Sequence, residues 1–361
     1  MFHFQSLHNR LLTQNSPMHE LVLKDSHLSA SMRDVTSLDH HAVAMNDVTT
    51  DPLSTHARVR AHYCNVHNFS AVYDTSDQHE FECVPTRAFE DLKICIYPTT
   101  RDIWVSRYIR DYGGWELGMS RAILLAMDKY PRATFLDIGA NLGSHSLRVA
   151  KYSRKVIAIE PNFSTVLRLH KSVNLNRLQQ NFVLVKNAIS DARGELTLYS
   201  GSENQGGSSV LSALSAGSVR KDTVKTILFD DLMEVTANHT EFVIKIDIEG
   251  SEAHAFVHSS QFFATHKIRA IFMEWTNMKA FMAQTKRNSQ PSREAQLVRD
   301  LVAKLRSRGF EPRPLDPAFQ FDTHIPLVNT SPALWPNDIV WIRPWPGIAF
   351  ADSKYKTKST S

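Results

Sequence analysis

Four apolar runs that carry carboxylates at or near their ends set the framework of this chain: ATFLDIG from Ala133, KVIAIEP from Lys155, FVIKIDIEG from Phe242 and IRAIFMEW from Ile268. Short runs rich in Val, Ile and Phe, bounded by Gly or Pro, suit strands buried on both faces. Amphipathic stretches separate them. Phe163 to Asn176 places Val166, Leu167, Leu169 and Val173 at helical spacing, and Arg293 to Arg308 does the same before Gly309. Strands alternating with helices pack economically as a parallel sheet covered by crossover helices. In such a sheet the strand ends share one edge, where ligands bind.

The first of these runs leads into FLDIGANLGSHSL, Phe135 to Leu147. Gly139 and Gly143 permit tight turning and close backbone approach, and Leu142, Leu147 and Val149 then resume at a helical rhythm. A strand, a glycine turn and a helix N-terminus in that order leave amide groups facing a crevice, which suits a polar or anionic ligand. A single glycine-rich turn is a weak signal by itself, so its meaning depends on the rest of the chain.

A third strand is expected at Phe182 to Ile189 and a short one at Gly194 to Tyr199, followed by a Ser- and Gly-rich loop from Ser200 to Gly217. Phe310 to Phe321 and Asp338 to Arg343 read as a closing hairpin. The expected fold is therefore α/β, a sheet of about seven mostly parallel strands with a closing antiparallel hairpin and helices on both faces. Its domain would run from residue 131 to 345. Residues 81–130 form a strand and helical lead-in, in which Trp104, Tyr112 and Trp115 lie close enough to the turn for one of them to wall a site. Residues 1–80 lack sustained periodicity and are expected to be a poorly structured or divergent leader; residues 346–361 are a polar, basic tail. Ten of the 17 histidines fall in the leader, without companion ligands at metal spacing.

Composition nominates few partners. With 41 basic and 37 acidic residues the net charge is +4, too balanced for a dedicated nucleic-acid surface. No apolar run is long enough to span a bilayer. Three cysteines, Cys64, Cys83 and Cys95, are neither paired at metal-ligand spacing nor dense enough for a disulfide scaffold, which points to a reducing, cytoplasmic setting.

The carboxylates define the ligand. Glu160 ends the second strand, where paired acceptor oxygens meet the two hydroxyls of a ribose. Asp191, after the third strand, suits either an exocyclic adenine amine or a simple turn. Asp137 suits either the turn backbone or a ligand ammonium group. In IKIDIEG, period two puts Lys245, Asp247 and Glu249 on one side of the chain, as catalytic groups or as a buried charge network. Ser251 is expected to cap the next helix, with Glu252 in its first turn. Asp247, Glu249 and Glu274, at adjacent strand ends, make a divalent ion conceivable, but sequence does not place their oxygens and no metal is assigned. His145 and His170 show no partner and read as helix-surface residues.

Taken in order, DIGANLGSHSL, AIEP, the helix ending NLN, NAISD, TILFDDL and IKIDIEGSE resemble the FkbM family of S-adenosylmethionine-dependent methyltransferases. The lead-in RDIWVSRYIRDYGGWE is also similar to that of many eukaryotic members. The resemblance spans roughly residues 90–280 and does not reach residues 1–80. It implies a Rossmann-like class I fold and, in general, O-methylation of an acceptor. By position, Asp137, Gly139, Asn141 and Gly143 would form the turn for S-adenosylmethionine, Glu160 would hold the ribose and Asp191 would lie near the adenine. Asn141 stands where many nucleotide turns carry glycine, as in this family's pattern.

Methyl transfer needs an aligned nucleophile and a group to remove its proton. Asp247 and Glu249, with Lys245 behind, are the candidates for base or acceptor positioning. Two rival classes share these features: a nicotinamide-dependent dehydrogenase and a non-catalytic scaffold. The acceptor itself is not encoded in any segment legible from sequence.

Overall fold

The computed structural model describes residues 63–69, 80–87, 91–200, 208–209, 219–284, 292–315, 319, 326–327 and 329–344. Chain contacts divide the molecule into residues 1–59 and 60–361, and all described residues lie in the second unit. The seven-stranded sheet comprises β1 (Thr134–Ile138), β2 (Val156–Ile159), β3 (Phe182–Val185), β4 (Glu241–Ile246), β5 (Lys267–Glu274), β6 (Glu311–Pro314) and β7 (Asp338–Ile342). Their spatial order is β6-β7-β5-β4-β1-β2-β3. Neighbours from β3 to β5 run parallel, whereas β7 is antiparallel to both β5 and β6. The chain starts at β1 in the middle of the sheet and winds outward in both directions, which leaves a crevice over the C-terminal ends of β1 and β4. The expected architecture, Rossmann-like with a closing antiparallel hairpin, is the observed one.

Alternation along each strand explains why the sheet is covered on both sides. Phe135, Val156, Ala158, Leu184, Val243 and Phe272 join one core with residues of α1 (Val105–Tyr112), α2 (Leu117–Lys129), α3 (Ser146–Lys151) and α4 (Phe163–Leu175). Leu136, Ile138, Ile157, Ile244, Ile246 and Met273 join the other, with Val298, Leu301 and Leu305 of α6 (Arg293–Ser307). Between β5 and α6 the chain forms a helix at Thr276–Gln284, and a single helical turn, α5 (Glu252–Ala255), follows β4. Among the described residues no helix is long and apolar enough to cross a membrane.

Several details differ from the sequence reading. The third expected strand divides: Phe182–Val185 stays in the main sheet, but Ala188–Ile189 pairs with Val219–Ile227 in a separate four-stranded sheet that also holds Gly194–Ser200 and Ser208–Ser209. Most of the expected loop from 200 to 217 lies outside the described residues, as do residues 1–62 and 345–361. Residues 63–69, within the stretch expected to be a leader, lie along the free edge of β3: Val66 bridges Val185, and the His67 amide donates to the Leu184 carbonyl at 2.7 Å. In the lead-in, Cys83–Pro85 and Lys93–Cys95 form a two-stranded hairpin with Cys83 opposite Cys95, and a disulfide joins them. The cysteine count carried no register information and did not anticipate this pairing.

Candidate functional site

Gly139 leaves β1 at φ +80°, and a Cβ placed there would lie 1.9 Å from the Asp247 carbonyl oxygen. Gly143, at φ +83°, would bring a Cβ within 2.4 Å of Leu169. Both glycines are thus required by the protein's own packing: the first lets the turn touch the end of β4, the second lets it sit on α4. Asn141, between them, takes φ 51°, a left-handed conformation that asparagine tolerates better than most side chains. Arg148, buried in α3, donates to the Ser144 carbonyl at 2.6 Å and to Ser144 Oγ at 2.8 Å, and reaches the Gly113 carbonyl at 3.4 Å. That clasp fixes the lead-in against the turn and presents Trp115 to the crevice.

Over the strand ends lies a cavity of about 320 Å³, lined on one side by the turn, Glu160, Pro161 and Asn187 to Asp191, and on the other by Lys245 and Asp247 to Glu249. Its walls include Ile138, Ile159, Ile189, Leu196 and Leu198, an apolar slot with carboxylates at its ends. Glu160 is buried; its Oε2 accepts from the Asn141 amide at 3.0 Å and its Oε1 from the Asn162 amide at 2.8 Å. Each oxygen keeps a second lone pair for a ligand hydroxyl. Burial raises the Glu160 pKa to about 7 despite these two bonds.

Asp191 stands at the rim with more partners than its sequence context suggests. Its Oδ2 lies 3.1 Å from His254 Nδ1 and accepts from Arg293 at 2.7 Å, while His254 Nε2 lies 2.7 Å from Glu294. Burial works to raise the Asp191 pKa, and His254, Ser190 and Arg293 outweigh it, so the pKa is lowered. The network ties α5 and the first turn of α6 to the pocket wall.

The opposite wall is crowded with charge. Register sets Lys245 beside Asp137. Its Nζ lies 3.9 Å from Asp137 Oδ1 and donates to Asp247 Oδ2 at 3.2 Å and to the Gly139 carbonyl at 3.3 Å. Burial opposes the lysine's charge, but Asp247, Asp137 and Glu116 outweigh it and its pKa is raised. A lysine held protonated positions and neutralises; it does not accept a proton. Asp137 is fully buried, accepts from Ser146 Oγ at 2.6 Å and does not line the cavity. Its place is behind the turn, holding α3 and Lys245.

After Ile246 the strand ends, and Glu249 turns at φ 57°, so the period-two alignment of Lys245, Asp247 and Glu249 holds only as far as Asp247. Ser251 occupies the expected cap position but its side chain accepts no capping bond. Glu252 instead braces the turn before the helix: its Oε1 accepts from the amides of Ile248 at 2.8 Å and Gly250 at 3.3 Å. Asp247, Glu252 and Glu274 bring one carboxylate oxygen each within 4.8 Å of one another, so Glu252, not Glu249, joins the other two. Antiparallel register adds Asp338 opposite Glu274. Burial and mutual repulsion raise the pKa values of Glu249 and Asp338 to about 7, Glu252 to about 8 and Glu274 to about 10.

Of the residues expected at the site, Gly139, Asn141, Glu160, Asp191, Lys245, Asp247 and Glu249 line one cavity, while Asp137 and Gly143 shape it from outside. His145 is a correction: it is buried at the cavity, with Nδ1 2.9 Å from Ser120 Oγ and Nε2 3.4 Å from Glu116, and burial lowers its pKa to about 3. His170 likewise meets His67 at 2.9 Å. Both partners come from segments remote in sequence. His254 was not singled out from sequence, and Arg293 was read only as the start of a helix; no motif marked either as a site residue.

Residues 137–312 match the family model described as the methyltransferase FkbM domain. The hexuronic acid methyltransferase AglP of Haloferax volcanii is 27% identical over 155 residues, covering 43% of this chain. The chain spans 59% of that relative's length. Among solved structures, the O-methyltransferase from Bacillus cereus in complex with SAH has a TM-score of 0.36 at 11% identity, covering 62% of this chain and 79% of that one. The O-methyltransferase TomG from Streptomyces achromogenes in complex with SAM has a TM-score of 0.36 at 10% identity, covering 66% and 85%.

Proposed function

With a methyltransferase FkbM domain at residues 137–312 as the premise, we propose that this chain transfers a methyl group from S-adenosylmethionine to an oxygen of its acceptor. The observation that carries this reading is the split cavity. Glu160, fixed by the amides of Asn141 and Asn162, faces an apolar slot suited to a nucleoside, and a second set of carboxylates stands across from it. The cofactor supplies an activated methyl on a sulfonium. The chain's own residues then have three tasks. Glu160 accepts from the ribose hydroxyls; Ile159, Ile189 and Leu198 enclose the base; Asp247 or Glu249 takes the proton that the acceptor hydroxyl loses as it gains the methyl.

Burial and like charge hold Glu249 near a pKa of about 7, close to the operating range in which a carboxylate both accepts and releases a proton. Lys245 keeps Asp247 in place. The name of the curated relative makes hexuronic acids the first acceptors to assay, alongside neutral sugars and small hydroxylated metabolites.

Isothermal titration with S-adenosylhomocysteine and with NAD separates the reading from its dehydrogenase rival: selective binding of NAD would overturn it. Transfer of labelled methyl from S-adenosylmethionine to an acceptor pool, lost in Glu160→Ala and Asp247→Ala, separates it from a non-catalytic scaffold. Mass spectrometry of the labelled product then identifies the acceptor atom.

A further inference from the structure

The end of β4, the start of α5 and the end of β5 converge on a space that Lys245 and the backbone do not fully satisfy. Asp247, Glu252 and Glu274 each direct a carboxylate oxygen to it, all within 4.8 Å of one another. Two oxygens bound to one ion at about 2.4 Å lie at most about 4.8 Å apart, so the spacing admits a shared ion. Glu252 is 0% exposed, and with its Oε1 taken by the amides of Ile248 and Gly250, its Oε2 has no hydrogen-bond partner. Glu274 Oε2 is buried and unpartnered as well. A buried carboxylate oxygen without a donor is costly, and two of them beside Asp247 call for a cation.

We propose that Asp247, Glu252 and Glu274 bind a hard divalent cation of the magnesium, manganese or calcium class. The donor set is oxygen only, without the imidazole or thiolate that would favour zinc or copper. Its rigidity comes from the fold: Glu252 is fixed by two amides on a turn, and Asp247 by Lys245 at 3.2 Å. Asp247 also lines the cavity, which places the cation at the acceptor side, across from Glu160. There it offsets the negative wall that an anionic or hydroxyl-bearing acceptor would otherwise meet. That last role rests on the methyl-transfer reading; the binding site itself does not.

The full chain, stripped with EDTA and dialysed, is titrated with Mn2+ and followed by electron paramagnetic resonance and calorimetry, with S-adenosylhomocysteine binding measured in parallel. One Mn2+ per chain is expected, weakened about tenfold or more in Glu274→Gln, with S-adenosylhomocysteine affinity within about threefold of the parent. Mg2+ and Ca2+ should displace the Mn2+. If Glu274→Gln loses cooperative unfolding, Asp247→Asn, on a carboxylate that is 26% exposed, carries the same expectation for Mn2+. No binding by the parent chain below millimolar Mn2+, or binding unchanged in a folded variant, overturns the site. Mn2+ bound without S-adenosylhomocysteine would leave the site standing and remove the methyl-transfer reading. Methyl transfer undiminished in a chain that binds no Mn2+ would do the reverse.

Discussion

The two walls of the cavity handle their carboxylates in opposite ways. On the turn side, both Glu160 oxygens accept backbone amides, and Asp191 at the rim is paired with His254 and Arg293. On the strand-end side, Asp247, Glu249, Glu252, Glu274 and Asp338 crowd together, with Lys245 as a cation among them and with oxygens of Glu252 and Glu274 lacking partners. The first wall is complete before any ligand arrives, as preorganised binding requires. The second is built at a cost that only a proton, a cation or a reacting group offsets. In the proposed methyl transfer, the first wall would bind and the second would react.

The contrast predicts different losses on the two sides. The largest belongs to the seam between them: Gly139→Ala, with φ +80° and a Cβ 1.9 Å from a carbonyl oxygen, is expected to cost about 3 kcal/mol or more of stability, read from the denaturant midpoint. Next, Asp247→Asn should lower kcat by about 10² to 10⁴ while leaving S-adenosylhomocysteine affinity nearly unchanged. An equal loss of both would erase the division. Glu160→Ala should act through cofactor binding, weakening S-adenosylhomocysteine by roughly 10- to 100-fold in calorimetry, as expected for a lost charged hydrogen bond, so that methyl transfer is lost at cofactor levels that saturate the parent.

Acidity offers a subtler test. Burial and neighbouring carboxylates raise the pKa values of Glu116, Glu249, Glu252 and Glu274 above the ordinary 4.5 and that of Asp338 above 3.8, with Lys245 partly offsetting this at Glu116, Glu249 and Asp338. The folded state therefore holds their protons more tightly than the unfolded chain. Stability from these groups is fully present below about pH 3.8 to 4.5, their unfolded values, and is lost as pH rises through about 7 to 10. The melting temperature of the EDTA-treated chain should fall by roughly 5 °C or more between pH 5.5 and 8.5, and a flat profile would show that the strand-end wall is not strained. The smallest effects concern caps. Asn162→Ala, which loses bonds to the amides of Ser164 and Thr165, should cost about 1 kcal/mol, and Ser251→Ala less than about 0.5, by thermal unfolding.

The turn-side wall was largely legible in the sequence because its parts are local. Gly139, Asn141, Gly143 and Glu160 sit at fixed offsets from strands whose apolar runs are unmistakable, and the order of those runs gives the sheet. The strand-end wall was legible only in type. IDIEGSE announced carboxylates, but whether Glu249 or Glu252 turns toward Asp247 depends on a positive φ at Glu249 that no periodicity encodes. His145 looked like a surface histidine because Ser120 and Glu116, its partners, come from the lead-in. The bond between Cys83 and Cys95 depends on hairpin register, and His254 and Arg293 meet Asp191 only after α6 folds back over the sheet. Contacts closed by chain reversal are the part that a linear reading loses.

Lys245 Nζ touches both walls at once, at the Gly139 carbonyl and at Asp247. One lysine therefore gives the two walls a shared contact. If filling the slot beside Glu160 changes the affinity of the strand-end carboxylates for a ligand by some factor, filling the strand end changes the affinity of the slot by that same factor. Any coupling between the walls would then appear equally in both dissociation constants, and a factor near one would show that Lys245 passes nothing between them.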